Sequence, residues 1–293
     1  MFDIRQKVIA SSTSLGWTAP HVSYVYEADV TEWLAELDTV IDKSSGANKI
    51  TLNTLLMRVV VEGIKAAPCV NAHVFYNKWL AAGRVKVFDR IDINTPVLLP
   101  DKRMVTVKLP DCGNKSLEEL AFCHNRLLNK LKNTNIDIAL LNVGWEDTIK
   151  KLKQGDIFTP MGRILGLMGK NRLGKTGKYE RDAYNNTPKE SRLCNDDLNM
   201  GTITVSNLGA AARGTSGFPA VINLVPPQVM AIGIGALQEK AVVYKSRITG
   251  RKIIPFCIVF DHRALDFGDA APLIKAMDLI FQGGKTKEEA CVH

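Results

Sequence analysis

The sequence is poor in the features that mark several protein classes. Its six cysteines (Cys69, Cys112, Cys123, Cys194, Cys257 and Cys291) are scattered, and no two stand in C-x-x-C spacing. Neither a zinc site nor a disulfide framework is expected, and a reduced, cytoplasmic compartment is. No run of about 20 apolar residues occurs, so no membrane-spanning helix is expected. Met1–Lys7 lacks the apolar core of a signal peptide. His21, His73, His124 and His293 show no ligand spacing, which argues against a metal. Aromatic residues make up only 7% of the chain. No nucleic-acid module is recognisable among them, so no nucleic-acid partner is expected.

What is present is an ordinary globular mixture, 46% hydrophobic and 23% charged over 293 residues. This excludes a disordered, collagen-like or coiled-coil chain. By length it is one large domain or two small ones; a single domain over 1–293 is expected. The net charge is +8, from 38 basic and 30 acidic residues. Nearly all of the excess lies between Lys150 and Arg192, where eleven basic residues face four acidic ones, a difference of +7. Residues 144–200 are also weakly periodic. They are expected to form a basic insertion or a long functional loop.

The remaining pattern predicts a mixed order of elements. Strands are expected over His21–Val30, Thr95–Leu99, Met104–Leu109, Thr202–Ser206, Val229–Ile234, Ala241–Tyr244 and Ile253–Phe260. A hairpin is expected over Val74–Val87, turning near Asn77 and Gly83. Helices are expected over Thr31–Leu37 and over Ile50–Ala67, the latter capped by Thr51 or Asn53 and stopped by Pro68. The capping box Ser116–Glu119 opens another. A last helix runs from about Ala270 to Phe281, with Pro272 in its first turn. Helices come early, strands group late and connections are short, which points to an α+β fold with helices covering a sheet.

Three local patterns carry chemistry. Asp261-His262-Arg263-Ala264-Leu265-Asp266 follows the apolar run Ile253–Phe260. Histidine at a strand end suits proton transfer near neutral pH; a turn in which Arg263 pairs with Asp261 or Asp266 is the plainer reading. Ser206-Asn207-Leu208-Gly209 ends another strand. There a hydroxyl can donate to a developing oxyanion, although Ser-Asn before Gly is also an ordinary turn. Gly169–Thr176 satisfies the phosphate-loop pattern G-x-x-x-x-G-K-T. The polar stretch from Gly177 to Pro188 is a poor start for the helix that such a loop needs, so a solvated basic loop or a loop neutralising an acidic ligand is expected instead.

Taken together, DHRALDFG, TITVSNLG and INLVPPQVMAIGIG resemble the catalytic domain of the dihydrolipoamide acyltransferases of 2-oxo acid dehydrogenase complexes, which share the chloramphenicol acetyltransferase-like fold. Weaker likenesses are HVSYVYEADVTEWL, ITLNTLLMRVVVEGIKAAPCVNA and DINTPVLLPDKRMVTVKLPDCGNKSLEEL. The resemblance implies a mixed-sheet α+β trimer that moves an acyl group between coenzyme A and a thiol, hydroxyl or amine by direct transfer. His262 matches the general base and Ser206 the oxyanion donor. Asp266 matches the residue holding the loop around the base, partly through an arginine. Asp261, Arg263 and Asn207 stand as supporting residues. The resemblance also implies that His262 and Ser206 of one site come from adjacent chains. Phe267 stands where the family has glycine, at the acceptor end. No lipoyl or subunit-binding domain fits before Ser14, so the lipoyl group is expected on a separate protein. The alternative expectation is an inactive trimeric scaffold that holds an acidic partner through the basic insertion.

Overall fold

The computed structural model describes residues 4–43, 49–99, 104–153, 177–212 and 214–283. The chain forms two compact units, one from residues 1–14 and 126–199 and one from residues 15–125 and 200–293.

The second unit is built on a seven-stranded sheet. Its strands are β1 (His21–Asp29), β4 (Ile93–Leu98), β5 (Met104–Leu109), β6 (Ile203–Asn207), β7 (Met230–Ile234), β8 (Gln238–Tyr244) and β9 (Arg247–Asp261). The order is β1-β9-β7-β6-β4-β5, and β8 also pairs with β9. β6 runs parallel to β4 and β7, and the other pairs are antiparallel. β2 (Ala72–Asn77) and β3 (Ala82–Val87) form a separate two-stranded ribbon. The run Ile253–Phe260 is buried throughout because β1 and β7 flank it and both its faces are covered.

Three helices cover one face: α2 (Thr31–Lys43), α3 (Leu52–Ala66) and α8 (Phe267–Phe281). Phe281 of α8 lies 5.8 Å from Phe256 of β9 and edge-on to Trp33 of α2 at 5.1 Å. α3 and α8 approach closely at Gly63, where an added Cβ would stand 3.0 Å from Met277 Cγ. On the opposite face Ala231, Cys257 and Val259 pack with Ala19, Leu224 and Ile222. In that layer Ala19 comes from the turn before β1, and Ile222 and Leu224 come from the loop before β7.

Most expected elements form. Thr51 caps α3, its hydroxyl accepting from Thr54 N at 3.3 Å. The Ser116–Glu119 box closes reciprocally (2.8 and 3.2 Å) and opens α4 (Leu117–Lys132). Four expectations need correction. α8 begins at Phe267, so Pro272 lies inside the helix and not in its first turn. The ring costs the hydrogen bond to the Gly268 carbonyl, and both residues are exposed, so water can satisfy that oxygen. β9 is 15 residues long, because β8 extends the pairing back to Arg247. The turn between them places Lys245 and Ser246 at φ 48° and 63°. Two positive values in succession suit a tight hairpin turn that Asn-Gly usually signals.

The third correction concerns residues 144–200, which are partly helical. α5 (Ile136–Lys153) runs into the segment, and α6 (Lys178–Asn186) and α7 (Asn195–Leu198) follow. In the first unit Ile138 and Ala139 of α5, Tyr184 of α6 and Leu198 of α7 pack together. Lys130 of α4 reaches Asp197 at 2.9 Å, and Asp197 also accepts from Cys194 N. The fourth is that Gly177 does start a helix: Glu180 reaches back to its N–H at 3.2 Å. The glycine-rich pattern Gly169–Thr176 lies outside the described residues. The N-terminal helix α1 (Ile4–Gly16) and α5 were not expected.

Candidate active site

β9 carries its chain out of the core at Asp261, whose side chain is buried. A buried carboxylate needs partners, and the loop that follows supplies them. Arg263 donates to it from its backbone N–H (3.0 Å), Nε (2.9 Å) and Nη2 (2.6 Å). The Asp261 carbonyl accepts from Ala264 and Leu265 at 2.9 and 3.1 Å. The loop is therefore wound around one residue. Of the two expected partners for Arg263, the structure selects Asp261. The hydrogen bonds it donates to Asp261 hold the guanidinium above its ordinary pKa. It also lies 5.2 Å from the ring of Tyr76 on the ribbon.

His262 is thereby turned outward, its side chain about half exposed at 52%. Its backbone N–H is tied to Pro20 O at 3.0 Å. Its Nδ1 lies 3.1 Å from Leu265 O and 3.2 Å from Asp266 Oδ1. A carbonyl oxygen only accepts, so Nδ1 donates there, and in the neutral imidazole the free lone pair lies on Nε2. Asp266 also opens α8, its N–H donating to Asp269 Oδ2 at 2.8 Å. Phe267 follows it with its ring exposed, 5.0 Å from that of Tyr24 on β1.

Ser206 is buried in β6, opposite Gly233 of β7. Gly233 is in turn opposite Cys257 of β9. Ser206 is thus level with a residue five positions before His262 and two strands away. At about 3.3 Å per residue, that is roughly 16 Å along the sheet. The faces differ as well. Ser206 shares the side of Cys257 and Val259, whereas the His262 ring meets that of Phe260, which points to the helical side, at 6.2 Å. Within one chain the structure joins His262 with Asp266 and does not bring Ser206 to them. Asn207 ties the end of β6 to α3, donating to Asn53 Oδ1 at 2.8 Å and accepting from Ala210 N at 3.0 Å.

Sequence reasoning passed over Gln228. It is fully buried and uses its whole amide. It donates to Asn94 Oδ1 (3.1 Å) and Gly201 O (2.9 Å), and accepts from Thr204 Oγ1 (2.6 Å). A polar residue inside the apolar run following Pro226-Pro227 was the available signal. His21 is tied by two backbone contacts: Nδ1 donates to Ala19 O at 2.7 Å, and Nε2 accepts from Leu224 N at 3.1 Å. Burial pushes the His73 and His124 pKa values down. Among the described residues, no three His, Cys, Asp or Glu side chains are grouped so as to hold a metal. Nor is any described helix long and apolar enough to cross a membrane.

A mixed sheet of this order, with a histidine loop closing its longest strand, is the fold of dihydrolipoamide acyltransferase catalytic cores. A probable dihydrolipoamide acetyltransferase of Listeria monocytogenes superposes with a TM-score of 0.63 at 16% identity, covering 98% of this chain and 95% of that one. The truncated catalytic core of a Thermoplasma acidophilum 2-oxoacid dehydrogenase complex gives 0.58 at 18%, covering 97% of each chain. The chain belongs to the family of 2-oxoacid dehydrogenase acyltransferases (catalytic domain), which it matches over residues 2–142 and 179–282. Only residues 143–178 of the expected insertion fall between those two matches. Among curated relatives, the acetyltransferase component of the Bacillus subtilis acetoin cleaving system is 36% identical over 89 residues, 30% of this chain and 21% of that protein. The dihydrolipoyllysine-residue acetyltransferase component of the pyruvate dehydrogenase complex of Rickettsia conorii is 33% identical over 147 residues, 48% of this chain and 35% of that protein. The chain thus spans well under half the length of these relatives.

Proposed function

We propose that the protein transfers an acyl group between coenzyme A and the thiol of a dihydrolipoyl group carried on a separate lipoylated protein, with a small hydroxyl or amine as the alternative acceptor. The observation that carries this reading is the His262 ring: exposed, fixed at Nδ1 by a carbonyl oxygen and open at Nε2. That is the state a general base requires.

The acceptor thiol attacks the thioester carbonyl carbon while His262 Nε2 takes its proton. A thiol of pKa about 8.5 is mostly protonated at neutral pH, so the base raises the thiolate share as attack proceeds. The carbonyl π pair moves to oxygen, and the Ser206 hydroxyl donates to that oxyanion. Collapse of the intermediate breaks the carbon–sulfur bond, and the leaving thiolate recovers the proton from His262. Asp266 steadies the imidazole through Nδ1. The reverse sequence returns the acyl group.

Ser206 lies roughly 16 Å along the sheet from the His262 of its own chain, so one chain cannot supply both groups to one carbonyl. The reading therefore requires a second copy of the chain, and we place the protein in a homotrimer with each site shared between adjacent chains. An acetyltransferase of Azotobacter vinelandii has had a serine, a histidine and an asparagine four residues after it investigated for roles in its catalytic mechanism. Here Ser206, His262 and Asp266 keep that order and that four-residue interval. The five described cysteines are all free, which suits the reducing cytoplasm in which we place the protein.

The test is an assay with acetyl-CoA and dihydrolipoamide that follows the S-acetyl product. The His262→Ala variant should turn over at least about 100-fold more slowly with its thermal midpoint unchanged. Turnover near that of the unaltered protein would overturn the assignment. Absence of coenzyme A binding at millimolar ligand would favour the scaffold.

A further inference from the structure

Besides the sheet pairing itself, the two halves of the proposed site share a structural tie that is not a residue of either half. Pro227, Gln228 and Val229 lie between the sheet and the ribbon. Val229 O accepts from Asp261 N at 2.8 Å, which fixes the end of β9 where the His262 loop begins. Val229 N donates to Ala72 O at 3.1 Å, and Pro227 O accepts from Val74 N at 2.8 Å. The ribbon so anchored presents Tyr76 to Arg263, the partner of Asp261. The backbone of this segment therefore holds the base loop from two sides.

Its buried polar side chain, that of Gln228, holds the other half. The Gln228 amide donates to Gly201 O, just before β6, and to Asn94 Oδ1, while Thr204 Oγ1 of β6 donates to its carbonyl. Asn94 Oδ1 also accepts from Gly201 N. Half-buried His73 adds a contact, Nε2 to Gly201 O at 3.1 Å. Thr204 stands two residues before Ser206 on the same face of β6, so the network ends one side chain short of the Ser206 hydroxyl. Removing it leaves Thr204, Asn94 and Gly201 with buried polar atoms lacking this partner, a cost that shifts of the strand would relieve.

We infer that Gln228 is a positioning residue for acyl transfer: it touches neither substrate nor base, but sets where Ser206 stands relative to the segment that carries the base loop. This rests on the function proposed above. A displacement of about 1 Å at a reacting group can cost on the order of 100-fold in rate. The network therefore bears on turnover and not on coenzyme A binding.

The experiment compares Gln228→Met, Ser206→Ala and the double variant in the acetyl-transfer assay, with thermal melting in parallel. Gln228→Met should lower kcat about tenfold or more and leave KM for acetyl-CoA within about twofold. Ser206→Ala should lower kcat about 100- to 1,000-fold. If Gln228 acts through Ser206, the double variant is no slower than Ser206→Ala alone, because the residues work as one unit. Multiplying effects, or a raised KM with unchanged kcat, would overturn the inference while leaving the proposed function standing. A normal kcat for Ser206→Ala would overturn both. Should Gln228→Met fail to fold, Thr204→Val removes one of the three bonds. It should lower kcat about threefold with the same non-additivity, and an unchanged kcat there would also overturn the inference.

Discussion

Asp261 organises the loop that carries His262, the residue we propose as the general base. It is buried, it pairs with Arg263 in a two-pronged contact, and its carbonyl closes the turn that aims His262 outward. Replacing Asp261 with Ala leaves the Arg263 guanidinium without its partner and loosens the loop. Turnover should fall by about 10- to 100-fold, since catalytic geometry is sensitive to displacements near 1 Å. Stability should fall by about 1–3 kcal/mol. Activity assays and denaturant melts check both, and an active, equally stable variant would contradict this role. The sequence showed His262, Asp266 and the Asp261–Arg263 pairing as one of two options, because charged residues at a strand end must find partners locally. It did not show Gln228, whose partners Asn94, Gly201 and Thr204 lie far away along the chain. Only the folded sheet gathers them.

Among the elements, local chemistry decided what could be read in advance. Thr51, Ser116 and Glu119 announce helix starts because their side chains bond to backbone donors a few residues on. The run Ile253–Phe260 announces a central strand because both of its faces are covered. β8 was legible only over Ala241–Tyr244; the first residues of β9 are exposed, and the turn uses Lys245-Ser246 in place of glycine, so neither the pattern nor the turn signalled the longer pairing. α6 is polar along most of its length and buries Tyr184 alone, which leaves no apolar stripe to detect. Packing between α3 and α8 was equally hidden. Gly63 stands there because a Cβ would press against Met277 Cγ at 3.0 Å and the Leu273 carbonyl at 3.1 Å. Gly63→Val should therefore cost about 1–3 kcal/mol by overpacking. Calorimetry reads this directly, and a variant as stable as the parent would show that the two helices can part without cost.

For the molecule as a whole, acid stability depends on a charge cluster outside the site. Arg251 donates to Asp29 at 2.7 Å and to the Glu32 carboxylate, and lies 4.0 Å over the Tyr244 ring. Burial opposes ionisation of Asp29, but the hydrogen bonds from Arg251 and Thr31 outweigh it and hold the carboxyl below its usual range. The Arg251 hydrogen bond lowers Glu32. Folded carboxyls with depressed pKa values add stability that is present above the unfolded carboxylate range, near pH 4, and is lost as pH falls below it. Arg251→Met should cost about 1 kcal/mol at pH 7 and less at pH 3, because the pairs are partly exposed. Melting curves at both values test the sign, and a larger loss at pH 3 would contradict it.

The central claim is that each active site is divided between two chains. Ser206 and His262 of one chain lie on different faces and different levels of the sheet, so the proposed chemistry needs a neighbouring copy to complete each half. Co-assembly of His262→Ala chains with Ser206→Ala chains tests this directly. Each variant alone should be nearly inactive. In equal mixture, about one interface in four should pair an intact His262 with an intact Ser206, restoring roughly a quarter of the parent activity. Mixed trimers that stay as inactive as either parent variant would contradict the account.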